Sequence, residues 1–319
     1  MGAALRTRTA QGAIGLAIGA LFFWLAARNT SFEEISEALI GADPAWLLAA
    51  VALYAADLAL RVRRWQLLLR PCADLPYRAI GRVLLVGYGV NALLPARLGE
   101  LFRAEFFKRS YGVTRSVGLA SVALERLLDG VIVVACLAAG LWLAGGGESD
   151  AALLTLCLSG AGLFVAFAGG LAVASRLARL DWVESWKLLS TRADDVRAAL
   201  AVAATPAFVN AGLLTLAIYA LEAGALAAIL GALGVAPTPT IVLVVIGAAS
   251  LSTLLPSAPG FIGTYQFAFS LALVEFGFDP AIGVAAATLV QSVLFAPVAV
   301  IAVAILSAAP RVAKVPHVV

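Results

Sequence analysis

The stretch "NALLPARLGELFRAEFF", Asn91–Phe107, decides how this chain is read. It lies between two apolar runs, yet it carries two arginines and two glutamates. Pro95 removes a backbone donor and Gly99 adds backbone freedom, so a continuous helix through the stretch is not expected. Two readings follow. The stretch is either a surface loop between helices, or a polar site built at a helix break inside the membrane.

Composition favours a membrane setting. The 319 residues are 62% hydrophobic and 13% charged, with a mean hydropathy of +1.00, against about 25% charge in an ordinary soluble domain. The expected fold is an all-α polytopic membrane protein, one integral membrane domain over residues 1–319. The longest polar stretch, about 175–204, is too short for a catalytic domain, and no small-residue cleavage site follows the first apolar run. Cys72, Cys136 and Cys157 lack metal spacing, and His317 is the single histidine. A zinc site and a Ser/His/Asp triad are therefore not expected. No cofactor and no nucleic-acid partner is expected.

Six runs reach the roughly 20 residues that a spanning helix needs. They cover about 10–27, 44–64, 117–144, 151–174, 205–233 and 280–307. Two shorter runs, 80–96 and 240–256, end at Pro95 and Pro256 and pass into glycine-containing segments. These are read as arms of re-entrant hairpins, because irregular backbone at membrane depth must be enclosed by protein or line a wet cavity. The positive-inside rule supports that count. With both hairpins returning to their own side, Arg6, Arg8, Arg63, Arg64, Arg70, Arg78, Lys108, Arg109 and Arg115 share one face with the 176–197 cluster, Arg311 and Lys314. The other face keeps Arg28 among Glu33, Glu34, Glu37, Asp43, Glu148 and Asp150. Both termini are thereby assigned to the cytoplasmic side of the cell membrane. Residues 30–43 read as a short amphipathic helix on the outer surface, and 176–200 as another on the cytoplasmic surface with Trp182 and Trp186 at headgroup level.

The two broken segments resemble each other. "NALLPARLG" (91–99) aligns with "STLLPSAPG" (252–260), and "SVGLASVALERLL" (116–128) aligns with "AIGVAAATLVQSV" (281–293) after a four-residue shift. Each unit, about 80–144 and 240–307, is then a half-helix, a break, a short segment and a long span. The expected topology gives them opposite orientations. Inverted repeats with broken helices are a plan of secondary transporters, whose sites lie near the midplane where the breaks meet.

A charge inside a span costs roughly 2.5–3.5 kcal/mol on insertion scales, so intramembrane charges face partners or cavities. "LERLLDG" places Glu125 and Asp129 on one helical face and Arg126 about 100° away. Arg97, Glu100 and Arg103 recur every third residue after the break and share a face of the helix that follows. Guanidinium groups and a helix N-terminus both favour phosphate. The set reads either as an anionic headgroup site, with Glu100, Glu125 and Asp129 orienting the arginines, or as ion pairs that only hold the broken helix. Asn91 caps or bridges the break. Asp57 and Arg61 read as a structural i,i+4 pair, while Glu222 stands alone in its span as a proton or headgroup contact. The second break, "LPSAPGFIGTYQF" (254–267), is uncharged. Pro256, Pro259, Gly260 and Gly263 interrupt it, Tyr265 and Gln266 supply neutral hydrogen bonds, and Gln291 falls near the repeat position of Arg126.

These motifs, with "RVRRW" at 61–65 and "GVTRSVGLASVALERLLDG" downstream, resemble the transmembrane, flippase-type region of lysylphosphatidylglycerol synthases over nearly the whole chain. The resemblance implies movement of a lipid between leaflets, an aminoacylated phospholipid or a polyprenyl-linked glycolipid. It carries Arg97, Glu100, Arg103, Glu125, Arg126 and Asp129 over as headgroup residues. Gln266 stands where the family commonly has glutamate, and the soluble aminoacyl-transferase domain is absent from this sequence, so lysylation of lipid is not expected. The leading expectation is therefore a lipid translocase rather than an enzyme. The alternatives are a lipid-binding accessory protein that partners a separate glycosyl- or aminoacyl-transferase, an intramembrane enzyme with Glu100, Glu125 or Asp129 as general base, and a carrier of a small soluble anion.

Overall fold

The computed structural model describes residues 16–28, 30–94, 98–145, 151–177, 195–255 and 257–308. Pro95, Arg97, Pro256, His317 and most of the 176–200 segment lie outside them. The described residues form helices and turns without a strand. In chain order the helices are α1 (Leu16–Ala27), α2 (Phe32–Ile40), α3 (Pro44–Leu69), α4 (Tyr77–Leu93), α5 (Leu98–Tyr111), α6 (Arg115–Leu143) and α7 (Ala151–Leu177). They continue with α8 (195–201), α9 (Pro206–Ala232), α10 (Pro239–Ser252) and α11 (Thr264–Val274). The last, α12 (Pro280–Ala308), contains one π-helical segment, Val290–Phe295.

Four of these helices, α3, α9, α12 and the described part of α7, are long and apolar enough to cross a membrane. Helix α6 has 29 residues but carries Arg115, Glu125, Arg126 and Asp129. Helix α3 runs five residues beyond the expected 44–64, so the whole of "RVRRW" lies within it. The outward faces are apolar: Leu158 and Val165 on α7, Leu213 on α9 and Val300 on α12 are all exposed. A soluble protein would not place these side chains against water in such number. They suit contact with lipid chains.

Helix starts follow their sequence signals. Ser31 and Glu34 form a capping box, with Ser31 N donating to Glu34 Oε2 at 2.7 Å and Glu34 N donating to Ser31 Oγ at 3.1 Å. The bond from the Ser31 backbone lowers the Glu34 carboxyl below its ordinary range. Asp43, Thr114, Thr238 and Asp279 cap α3, α6, α10 and α12 more simply, each side-chain oxygen accepting from a backbone N–H of the first turn.

The ends of α3 define two poles of the bundle. At the Asp43 pole, Asp43 N donates to Ala232 O at 3.0 Å and α2 packs against the start of α12. At the Arg70 pole, Thr114 Oγ1 donates to Asp195 Oδ2 at 2.6 Å. Burial, and then the charge of Asp195, push the nearby Cys72 thiol up. Helix α4 therefore starts and α5 ends at the Arg70 pole. Helix α10 starts and α11 ends at the Asp43 pole, joined by short connections to α9 and α12. The two helical hairpins enter from opposite poles, and the long helix after each, α6 and α12, runs in the opposite sense to the other.

Helix α3 packs along α9, α6 along α10 and α4 along the second half of α12. Small residues let the backbones approach. A Cβ on Gly140 of α6 would lie 2.7 Å from Val244, and one on Gly247 of α10 would lie 2.6 Å from Leu137. The hairpin breaks meet inside the bundle, where a Cβ on Gly260 would lie 3.3 Å from Ala92 O at the end of α4. Gly260 (φ 66°) and Gly263 (φ 94°) hold backbone that side chains resist, and Gly263 abuts Gly19 O of α1.

Gly99 is the tightest point of the first break. A Cβ there would lie 2.1 Å from Gly87 O and 2.4 Å from Asn91 Oδ1. Gly99→Ala is expected to lower stability by about 1–3 kcal/mol through overpacking, read as a lower thermal midpoint in detergent. Gly169→Ala, with nothing within 4 Å of the added carbon, is expected not to lower it.

Candidate functional site: a charged cavity at the helix centres

Asp57, Asp129 and Glu222 each lie within a turn of the centres of α3, α6 and α9. The side chains around them form two neighbouring sets of ion pairs and hydrogen bonds. Arg64, fully buried, donates to Asp129 Oδ1 at 2.5 Å and to Thr215 Oγ1 at 3.1 Å, and lies 3.2 Å from Glu125 Oε1. Arg103 donates to Glu125 Oε2 at 2.7 Å and lays its guanidinium over Trp65, 3.5 Å from the ring centroid. Trp65 in turn donates to Ser121 Oγ at 3.1 Å. Tyr88 donates to Glu125 Oε1 at 3.4 Å. On the neighbouring side, Arg61 donates to Asp57 Oδ2 at 2.7 Å and also to Glu222 Oε2.

These sets border a cavity of about 180 Å³. Asn91, Glu100, Arg126, Asp129, Glu222 and Arg61 supply its polar lining, and Tyr54, Tyr219, Phe164, Phe261, Tyr265 and Phe295 its aromatic lining. The helical spacing seen in the sequence sorts the charges. Glu125 and Asp129, four apart, turn towards Arg64, while Arg126 turns away into the cavity. There Arg126 Nε lies 3.2 Å from Glu100 Oε1, and its terminal nitrogens lie 3.7 Å from Glu125 and Asp129. At 3.7 Å neither terminal nitrogen is hydrogen-bonded to those carboxylates. With 26% of its side chain exposed, Arg126 has a guanidinium fork available to a ligand.

Of the expected site residues, Asn91, Glu100, Arg126, Asp129, Glu222 and Tyr265 line the cavity. Arg103 and Glu125 lie buried behind its wall, where they hold each other. Arg97 lies outside the described residues. Gln266 and Gln291 serve the break. Gln266 Oε1 accepts from Gly263 N at 2.8 Å, its amide donates to Gln291 Oε1 at 2.6 Å, and Gln291 donates to Gly260 O at 2.9 Å. Asn91 Oδ1 accepts from Gly99 N at 2.7 Å, so part of the donor capacity at the start of α5 is already satisfied by the protein.

Two expectations are corrected. Arg64 is not a surface charge of the basic face: a further turn of α3 carries it inward to Asp129. Glu222, solitary in its own span, has a partner across the helices in Arg61. Arg61 is thus more than half of a local pair. The i, i+4, i+7 spacing of Asp57, Arg61 and Arg64 was the available signal, since it puts all three on one face of one helix.

Removing one partner from a buried ion network leaves the others uncompensated, at about 3–5 kcal/mol. Arg64→Met is therefore expected to destabilise the protein by that order, seen as a large drop in thermal midpoint. Glu105, which pairs at the surface with Arg109 and Arg115, gives the contrast: Glu105→Gln is expected to leave the midpoint nearly unchanged.

The sequence matches the family described as the lysylphosphatidylglycerol synthase TM region over residues 12–302. It is also similar to glycosyltransferase AglD of Haloferax volcanii, 29% identical over 336 residues. That similarity takes in 90% of this chain and 52% of AglD, so the chain spans about half the length of its relative. No solved structure matches. The apolar helices, the buried charges at their centres and the match over residues 12–302 agree, and the chain belongs to the lysylphosphatidylglycerol synthase TM region family as a multi-pass membrane protein.

Proposed function

We propose that the protein is a lipid translocase, in which the cavity receives the phosphate of an anionic lipid headgroup while the hydrocarbon chains stay in the bilayer. The observation that carries this reading is Arg126. Its guanidinium reaches a cavity at mid-helix depth, its terminal nitrogens are not hydrogen-bonded to the neighbouring carboxylates, and its planar fork suits a phosphate. Glu100 and Asp129 hold its orientation. The aromatic wall offers apolar surface to the glycerol or prenyl portion next to the phosphate.

The architecture supports transport. In this reading α1, α3, α6, α7, α9 and α12 span the membrane. Helices α4 and α5 (17 and 14 residues) and α10 and α11 (14 and 11 residues) form two re-entrant hairpins, each arm too short to cross. Residues 80–144 and 240–307 are then inverted repeats whose breaks meet beside the cavity, the plan on which alternating access is built. The basic Arg70 pole faces the cytoplasm of the cell membrane, with both termini on that side. No bond chemistry is assigned to the site.

A second reading is favoured by the relative. AglD is a glycosyltransferase of about twice this length, so a region of this kind also fits a membrane partner that presents lipid to a separate transferase.

The two separate in liposomes containing the purified protein and an anionic phospholipid with a labelled headgroup. The first reading expects label to cross between leaflets without any other protein. Arg126→Gln is expected to slow the crossing roughly tenfold to a hundredfold, the loss of a charge-assisted contact of about 1.5–3 kcal/mol. No crossing by the folded wild-type protein, or the same rate in the variant, overturns it.

A further inference from the structure

Among the described residues, the charges around the cavity are not evenly balanced. Arg64, Arg103 and Arg126 face Glu100, Glu125 and Asp129, three against three. Arg61 alone faces two carboxylates, Asp57 and Glu222. An arginine keeps its proton under all ordinary conditions, so with both acids ionised this triad carries one surplus negative charge at the centre of the bundle. A surplus charge in that setting is costly, and a carboxylate relieves it most directly by taking up a proton.

The geometry gives that proton a place. Asp57 is fully buried, and its Oδ1 accepts no hydrogen bond among the described residues. Glu222 is the accessible member of the pair, with 27% of its side chain exposed. It also stands on the wall of a second, smaller cavity of about 30 Å³, with Tyr54, Tyr265 and Phe295 common to both. That volume suffices for a water molecule. Glu222 thus sits between a water-sized chamber and the headgroup cavity. Its charged and titratable neighbours are Tyr54, Asp57 and Arg61 on α3, Asp129 and Cys136 on α6, Tyr219 on α9 and Tyr265 on α11. Arg61 is the one cation among these described neighbours.

We infer that Asp57 and Glu222 share one exchangeable proton, taken up and released at Glu222, and that this proton couples headgroup occupancy to the proton gradient. The coupling rests on the translocase reading, whereas the proton site does not. An anion arriving at Arg126 adds negative charge to the cavity and favours the protonated pair, so proton and headgroup bind together. Loss of the proton restores the Glu222 carboxylate and repels the headgroup.

Infrared spectroscopy of the purified protein in detergent tests the proton site directly. A carbonyl band of a protonated carboxylic acid is expected to persist at neutral pH, above the range in which surface carboxylates titrate, and to vanish at alkaline pH. Glu222→Gln is expected to abolish the titrating band, and Glu222→Asp, which keeps the carboxyl, to retain it at a shifted frequency. A titrating band that is unchanged in Glu222→Gln, or no such band in the wild type, overturns the proposal. The liposome assay with an imposed pH gradient tests the coupling. Crossing of the labelled phospholipid is expected to be biased by the gradient in the wild type and indifferent to it in Glu222→Gln. Crossing that ignores the gradient in the wild type overturns the coupling, whereas a titrating band without any lipid crossing refutes the translocase reading and leaves the proton site standing.

Discussion

Arg64 has no exposed surface, and it holds Asp129, Glu125 and Thr215 at once. Those residues come from α6 and α9, so one guanidinium fixes three helices where each passes the bundle centre. Hydrophobic packing cannot set that register in a membrane, because lipid chains are as apolar as leucine and reward no one helix pairing. A buried ion network can, since a shifted helix leaves a charge without its partner. The remaining site geometry depends on this. With Glu125 and Asp129 committed to Arg64 and Arg103, Arg126 is left on the cavity side with Glu100 as its nearest partner.

The hairpin breaks solve a different problem. Backbone that leaves the helix inside a membrane exposes donors and acceptors that find no water. Here the protein supplies the partners. Asn91 accepts from Gly99, and Gln266 and Gln291 tie down Gly263 and Gly260. The second break needs no charge for this, and neutral amides stabilise it without adding to the field in the cavity. The two breaks therefore do unequal work: the first is followed by Glu100, which brings charge to the cavity, and the second supplies Phe261 and Tyr265 to its aromatic lining.

Much of this was legible along the chain. Composition and run length indicate the membrane class, Pro95 and Gly99 mark the break, and the spacing of Glu125, Arg126 and Asp129 anticipates which of them faces the cavity. The residues missed share one property: their roles depend on contacts between helices far apart in sequence. Asp57 and Arg61 look complete as a local pair, and only the packing of α3 on α9 brings Glu222 to Arg61. Arg64 looks like one of several basic residues at a helix end, because the sequence does not reveal that α3 continues through Leu69. Gln266 and Gln291 look like cavity residues, and it is the path of the backbone at Gly260 and Gly263 that claims their amides.

Under the proposed translocase function, the same distribution bears on how a charged headgroup would pass an apolar interior. A site made of arginines alone would bind phosphate tightly and release it slowly, since a charge-assisted fork is among the strongest contacts a protein offers. The cavity instead sets Arg126 among carboxylates that already stabilise it, so a phosphate entering as proposed would exchange one set of ionic partners for another. Its net gain is smaller than that of a bare pair, and its exit correspondingly easier. Passage requires just that balance, because any depth of binding at the midpoint becomes a barrier to leaving. On that reading Glu222 also bears on the balance, since it shares Arg61 with Asp57.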